Sequence, residues 1–197
     1  DGTPAAVALQ EALGTPAGPL VTVFQTDVRR TWRVLRTRGA RVELALDIGT
    51  VHAAGRRLPL WELELELRRG PIDALYALAS RWVQRHGLWL DVRSKAERGV
   101  LLAHGLAARP PVGARAPALQ RGQSMDAALR AMVGAALAQA LPNASALAGG
   151  VGGPEHLHQL RVGLRRLRSV QRLFGEADRA DPAPDAYERQ VDRLLAS

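Results

Sequence analysis

The sequence predicts an α+β chain in which an antiparallel strand region is followed by a separate helical region. Three observations carry that prediction. The stretches "RVELALDIG" (41–49) and "WELELELRRG" (61–70) alternate apolar and charged residues with a period of two, as half-buried strands do. Residues 106–124, "LAARPPVGARAPALQRGQS", carry three prolines and no period, which reads as a linker. Beyond it, Leu157, Leu160, Leu164, Leu167 and Phe174 recur at helical spacing and form the seam of a bundle helix.

The elements follow in order. Residues 1–20 are rich in Ala, Gly and Pro and read as a loop or a loose helix. "VTVFQT" (21–26) and "TWRVLRTR" (31–38) read as strands, with a turn at 38–39. In 41–49, Glu43 and Asp47 share one face, and Val42, Leu44 and Leu46 share the other. Gly49 and "AAGRR" (53–57) are read as turns. In 61–70, Glu62, Glu64 and Glu66 face one way and three leucines the other, and Gly70 ends the strand.

"PIDALYALASRWVQRHG" (71–87) predicts a helix with Pro71 at its first position, Gly87 at its stop, and Ile72, Leu75, Ala79, Trp82 and Val83 inward. Residues 89–95 read as extended, and "AERGVLLAHG" (96–105) as a helical turn. After the linker, Ser124 caps a helix over 125–141 with a stripe at Met125, Leu129, Met132, Ala136 and Leu137. "PNASALAGGVGGP" (142–154) reads as a loop, 155–176 as a strong amphipathic helix, and 181–197 as the start of another. The predicted organisation is 1–105, a linker over 106–123, and 124–197.

Composition narrows the function classes. The 197 residues carry a formal net charge of +8 and no cysteine, which excludes disulfides and thiolate metal sites and fits a cytoplasmic, reducing setting. No run of about 18 apolar residues is visible, so no membrane span is expected. The first residue is Asp rather than Met and no leader pattern follows it, so the natural N-terminus is expected to lie elsewhere. All 27 basic residues are arginine except Lys95. That bias has a simple compositional origin, and it marks Lys95 as a position where a guanidinium would not serve. The basic excess points to an anionic partner such as a phosphate polymer, nucleic acid or acidic lipid.

Beside the apolar seam, His158, Arg161, Arg165, Arg168 and Arg172 repeat the same spacing, with His156 and Arg166 to the sides. The stripe spans about 21 Å at the helical rise. It is either a solvated basic face or the seat of a linear polyanion. The lack of any acid within it favours the polyanion, since stacked guanidinium groups repel unless an anion faces them. No helix-turn-helix pattern is present and aromatics are few, so no specific nucleic-acid partner is expected. In the strand region, Glu62, Glu64, Asp47 and Glu43 offer the carboxylate oxygens that hard cations such as Mg²⁺ or Mn²⁺ take. Arg29, Arg33 and Lys95 are candidate phosphate contacts. The same pattern also describes an ordinary antiparallel sheet with one wet face.

The segments "FQTDVRRTWRV", "VELALDIGTV", "ELELELRRG" and "SKAERGVLLAHG", in that order and spacing, resemble the C-terminal half of a CYTH domain, the triphosphate tunnel metalloenzyme fold of bacterial inorganic triphosphatases. "HQLRVGLRRLRS" resembles the signature of a CHAD domain, an α-helical module that often follows CYTH. The resemblance implies the C-terminal half of an antiparallel eight-stranded β tunnel followed by an incomplete all-α bundle. It implies hydrolysis of inorganic triphosphate assisted by Mg²⁺ or Mn²⁺. Glu62, Glu64 and Asp47 match the metal-linked acids, with Glu66 nearer a mouth of the tunnel. Arg29 and Lys95 match catalytic, phosphate-binding positions. His158, Arg161, Arg165, Arg166 and Arg168 match the polyphosphate-binding surface of CHAD, and Arg172 continues the same row. The Glu-x-Glu-x-Lys strand that opens the family's tunnel is not found here. The chain is therefore expected to be an internal piece that hydrolyses little or no triphosphate alone. A non-catalytic polyphosphate-binding or targeting module is the alternative, and non-specific nucleic-acid binding through the stripe is a third reading.

Overall fold

The computed structural model describes residues 3–14, 21–37 and 39–175. A ten-residue helix α1 (Pro4–Leu13) opens it, with Thr3 Oγ1 accepting from the Ala6 N–H and no buried residue. Three long strands follow: β1 (Gln25–Thr37), β2 (Ala40–Ala53) and β3 (Arg56–Arg69). They form an antiparallel meander in the order β1-β2-β3. The α+β class is as expected. Among the described residues the sheet has three strands and is not closed, so the eight-stranded tunnel does not appear. Among the described residues, no further strand pairs with either outer edge, along β1 or β3.

Three strand expectations shift. Residues 21–24 precede the sheet without joining it, and 25–37 is one continuous strand rather than two pieces. Gly49 is not a turn. It lies inside β2, paired with Val28 on one side and Leu60 on the other. A Cβ there would stand 2.0 Å from the Asp27 carbonyl oxygen, so close backbone approach, not chain reversal, requires glycine. The reversal comes at Ala54-Gly55, both with positive φ (49° and 72°), as a tight type I′ hairpin needs.

Each face of the sheet receives one helix. The leucine face meets α2 (Ile72–His86): Ala74 and Leu78 pack with Ala40 and Val42, and Leu35, Leu65, Leu67, Leu75 and Trp82 surround them. The inward stripe is therefore turned relative to the expected one. Ile72 is 46% exposed, and the small Ala74 sits deepest, where it lets the helix lie close to Ala40. The carboxylate face meets α3 (Lys95–Ala103), a full helix where only a turn was predicted. Ser94 Oγ caps it by accepting from the Glu97 N–H at 3.1 Å. Gly99 is buried against Phe24, where a Cβ would fall 2.3 Å from the ring.

The linker has no helix or strand, as predicted, but it is strapped to the helical pair that follows. That pair is α4 (Met125–Ala148) and α5 (Pro154–Gly175), packed against each other. Ser124 caps α4 as expected, accepting from the Ala127 N–H. The helix then runs through Pro142, where a loop was predicted, to Ala148. Pro142 removes one helical hydrogen bond. The segment beyond it buries Asn143, Ser145 and Ala146, which offsets that loss. The fully buried Asn143 amide accepts from the Val112 N–H (3.1 Å) and donates to the Val112 carbonyl (3.0 Å), so it pairs with the linker as a strand would. By length and composition α4 could span a membrane. Its buried Gln139 and Asn143 are engaged by α5 and the linker, as in a packed hairpin. On α5 the buried face is Gly163, Leu167 and Val170, while Leu157 of the predicted seam is 45% exposed. Gly163 lies on Ala140, so two small residues let the helices cross closely. The helix predicted over 181–197 lies outside the described residues.

Candidate functional site

The register of the meander builds the site. Arg30, Asp47 and Glu62 stand opposite one another across the three strands, and Trp32, Ala45 and Glu64 form the next row. Asp47, Glu62 and Glu64 thereby share one face, and one carboxylate oxygen from each lies within 4.8 Å of the others. Three acids that close would repel strongly. Lys95, the first residue of α3, reaches into the group. Its Nζ is 2.5 Å from Glu62 Oε1, 2.7 Å from Glu64 Oε1 and 3.0 Å from Asp47 Oδ2. Arg30 holds Asp47 with two parallel bonds of 2.7 Å and reaches Glu64 Oε2 at 2.6 Å.

A buried extension lies behind Glu62. Arg98 Nη2 is 3.0 Å from Glu62 Oε2 and 3.0 Å from Asp91 Oδ2, and Arg93 grips Asp91 through Nε and Nη2. Four acids (Asp47, Glu62, Glu64, Asp91) and four bases (Arg30, Arg93, Lys95, Arg98) thus form one connected network. The Asp47 carboxyl is held down to about 2, chiefly by the Arg30 hydrogen bonds, against its burial and with help from Lys95. Burial works against the Lys95 ammonium, but hydrogen bonds to Glu62, Glu64 and Asp47 outweigh it and push its pKa up. Glu64 is lowered, first by Lys95.

The donor set suits a hard divalent cation: three carboxylates, no sulfur and no imidazole. Glu62 Oε2 is buried and accepts no well-aligned hydrogen bond although Arg98 is close. Further along the face, Glu43 and Glu66 stand opposite each other and share Arg68, at 2.8 and 2.9 Å. Glu66 belongs to that second group rather than to the Lys95 cluster.

Not every expected residue arrives at the cluster. Arg29 and Arg33 lie on the other face, in register with Ile48 and Leu44. The two-residue period puts Arg30, not Arg29, among the acids. Arg30, Asp91, Arg93 and Arg98 join the network without being among the expected site residues. Counting back from the 38–39 turn places residue 30 opposite Asp47, so the signal for Arg30 was present. Arg98 follows from Lys95 by three helical positions.

On α5, His158, Arg161, Arg165 and Arg172 are exposed along one stripe, and Arg168 is partly buried. Arg166 plays a different part: Nη1 donates to Gln139 Oε1 (2.8 Å) and Nη2 to the Arg115 carbonyl (2.7 Å), so it ties α5, α4 and the linker together. His156 does the same at the start of α5. Its Nδ1 accepts from the Gly153 N–H and its Nε2 faces the Arg109 carbonyl. The Arg109 side chain pairs in turn with Glu97 on α3.

Comparisons with known proteins bear on both regions. Residues 131–197 match the model of the CHAD domain, whereas no CYTH model is matched. Over 87 residues the chain is 30% identical to the inorganic triphosphatase of Haemophilus influenzae, a match covering 44% of this chain. That stretch spans 25% of the length of the curated relative.

Proposed function

We propose that the sheet is part of a metal-dependent inorganic triphosphatase site and that the helical pair is a polyphosphate-binding CHAD module. The observation that carries this reading is the convergence of Asp47, Glu62 and Glu64 around Lys95, flanked by Arg30. An array of close carboxylates interleaved with cations suits a ligand that brings both charges, a divalent cation and a phosphate chain. Asp47, Glu62 and Glu64 would hold Mg²⁺ or Mn²⁺. The cation would offset phosphate charge and polarise a phosphoanhydride. The chain's own residues do the rest. Lys95 and Arg30, which border the three carboxylates, would offer donors to phosphate oxygens on the same face. Arg98, 3.0 Å from Glu62 Oε2, would orient that carboxylate. The open edges of β1 and β3 are where further strands would complete the tunnel and its remaining ligands.

The test is calorimetric titration with Mg²⁺, Mn²⁺ and tripolyphosphate, repeated with Glu62→Gln and Glu64→Gln. Cation binding that disappears in both variants is expected. Unchanged binding in both would overturn the metal assignment. A sheet with open edges is expected to hydrolyse little triphosphate, and robust Mg²⁺-dependent turnover by the 197-residue chain would contradict that.

A second reading has its own observation. The acids in the network are already balanced by four bases, with Lys95 in their midst. The sheet would then be a structural support and the α5 stripe the working surface, making the chain a polyphosphate binder. Polyphosphate binding that needs no divalent cation and survives Glu62→Gln favours this reading.

A further inference from the structure

Glu62 is approached by cations from two sides, and the second approach, an ion pair rather than an aligned hydrogen bond, leads out of the sheet. Lys95 takes Oε1 and Arg98 approaches Oε2. Arg98 also pairs with Asp91, which Arg93 fixes through its Nε (2.9 Å), its Nη2 (2.8 Å) and its backbone N–H (2.9 Å). The side chains of Asp91, Arg93 and Arg98 are only 14%, 14% and 12% exposed. Charged groups so buried have few alternative arrangements that keep their ion-pair partners. The Arg93 guanidinium also lies 5.6 Å from the centre of the Trp89 ring.

The segment carrying Asp91 and Arg93 has no strand or helix to hold it. The last turn of α4 holds it instead. The Val92 N–H donates to Ser145 Oγ at 3.1 Å, and Ser145 Oγ donates to the Leu90 carbonyl at 3.4 Å. Gly149, which ends α4, leaves the space that the Arg93 guanidinium fills. A Cβ at Gly149 would stand 2.8 Å from Arg93 Nη2. The connection from α4 to the carboxylate cluster is therefore continuous: Ser145 and Gly149, Asp91 with Arg93, Arg98, Glu62, Lys95.

We propose that Ser145 and Gly149, on the helical pair, are positioning residues for the carboxylate cluster of the sheet. They fix segment 90–93, through it Arg98, and through Arg98 the orientation of Glu62 and its Lys95 partner. The helical module then does more than offer a basic surface, because it sets the geometry of the acid site. The brace stands on the contacts alone, and only the identity of the cation rests on the function proposed above.

Lys95 supplies the readout. It is the sole lysine, so ¹⁵N-lysine labelling gives a single side-chain ammonium signal that reports the cluster directly. The variants are Gly149→Val, whose side chain displaces Arg93, and Ser145→Ala, which removes both anchors of 90–93. Arg130→Ala is the control, on the same helix near its other end and, among the described residues, paired with Asp126. The Lys95 signal is expected to shift or broaden in the first two and to stay in place in the control. Mn²⁺ affinity is expected to fall about 10-fold in the first two, as for loss of an outer-shell partner. If either variant fails to fold, Gly149→Ala applies the same push with one methyl group. A Lys95 signal identical to the native one in folded Gly149 and Ser145 variants would overturn the proposal. If the native chain binds no Mn²⁺ while the Lys95 signal still moves, the cation reading falls and the brace stands.

Discussion

Lys95 is a lysine because its site is a point rather than a plane. Three carboxylate oxygens from two strands converge on one Nζ at 2.5, 2.7 and 3.0 Å. A compact ammonium has three donors that can diverge toward them, whereas a guanidinium presents a flat fork. In a chain that otherwise uses arginine for every cation, that geometry accounts for the exception. Lys95→Met should therefore cost roughly 2–3 kcal/mol, since it strands three neighbouring acids, with partial exposure keeping the cost below that of a fully buried pair. On the cation reading, Mg²⁺ or Mn²⁺ should raise the Tm of Lys95→Met by more than that of the native chain in a thermal shift assay. Asp47 gives a pH signature. Its pKa is depressed in the folded state from 3.8 to about 2, so the stability it contributes is present above pH 3.8 and is lost as pH falls toward 2. Asp47→Asn should lower the Tm at pH 7, and the gap to the native chain should close near pH 2. The carboxylates were legible in the sequence because alternation alone assigns faces. Arg29 stands on the face opposite Arg30, because a motif match fixes a neighbourhood, while the pleat decides between adjacent residues.

At the scale of elements, the helical pair separates two kinds of arginine that look alike in sequence. Arg166 is tied to Gln139 and to the Arg115 carbonyl, whereas Arg161 and Arg165 project from the exposed stripe. Arg166→Ala should destabilise by about 1–3 kcal/mol, because it leaves a buried amide oxygen and a carbonyl without their donor. The double variant Arg161→Ala/Arg165→Ala should leave the Tm in place and weaken binding of long polyphosphate. Denaturation curves and polyphosphate titrations on the same samples separate the two outcomes. Spacing made the stripe legible but could not reveal Arg166, whose partners lie 27 and 51 residues away. The run of α4 past Pro142 was hidden for a similar reason. Proline is a local stop signal, and what overrides it here is tertiary: Asn143 pairing with Val112 and Ser145 bonding to Leu90 and Val92. Gly163→Val should part α4 from α5, since even a Cβ would sit 3.0 Å from the Ala140 side chain.

At the scale of the whole molecule, the sheet and the helical pair meet through the strapped linker and segment 90–93. The basic stripe lies on α5, and the carboxylate cluster lies under α3. A polyanion that binds through the stripe should bind less tightly as salt rises. At matched salt, long polyphosphate should out-compete RNA of equal charge, because few aromatics are available for base stacking. The α+β order was readable from sequence, as was the lack of helix or strand over 106–124. The strapping was not, because it depends on single polar side chains finding backbone groups far along the chain. That contrast has a kinetic consequence. The meander's strands are consecutive, so its pairing can zip outward from the near pairs Thr37 with Ala40 and Ala53 with Arg56. The contact of Val92 with Ser145 spans 53 residues, and that of Val112 with Asn143 spans 31. Short loops close first. In pulse-labelling hydrogen exchange during refolding, amides of β2 should gain protection before those of Val92 and Val112. Ala54, held at φ 49° in the β2–β3 turn, is the place to adjust the early step. Ala54→Asn, which tolerates that backbone region, should speed appearance of the hairpin while leaving the later closure at its native rate.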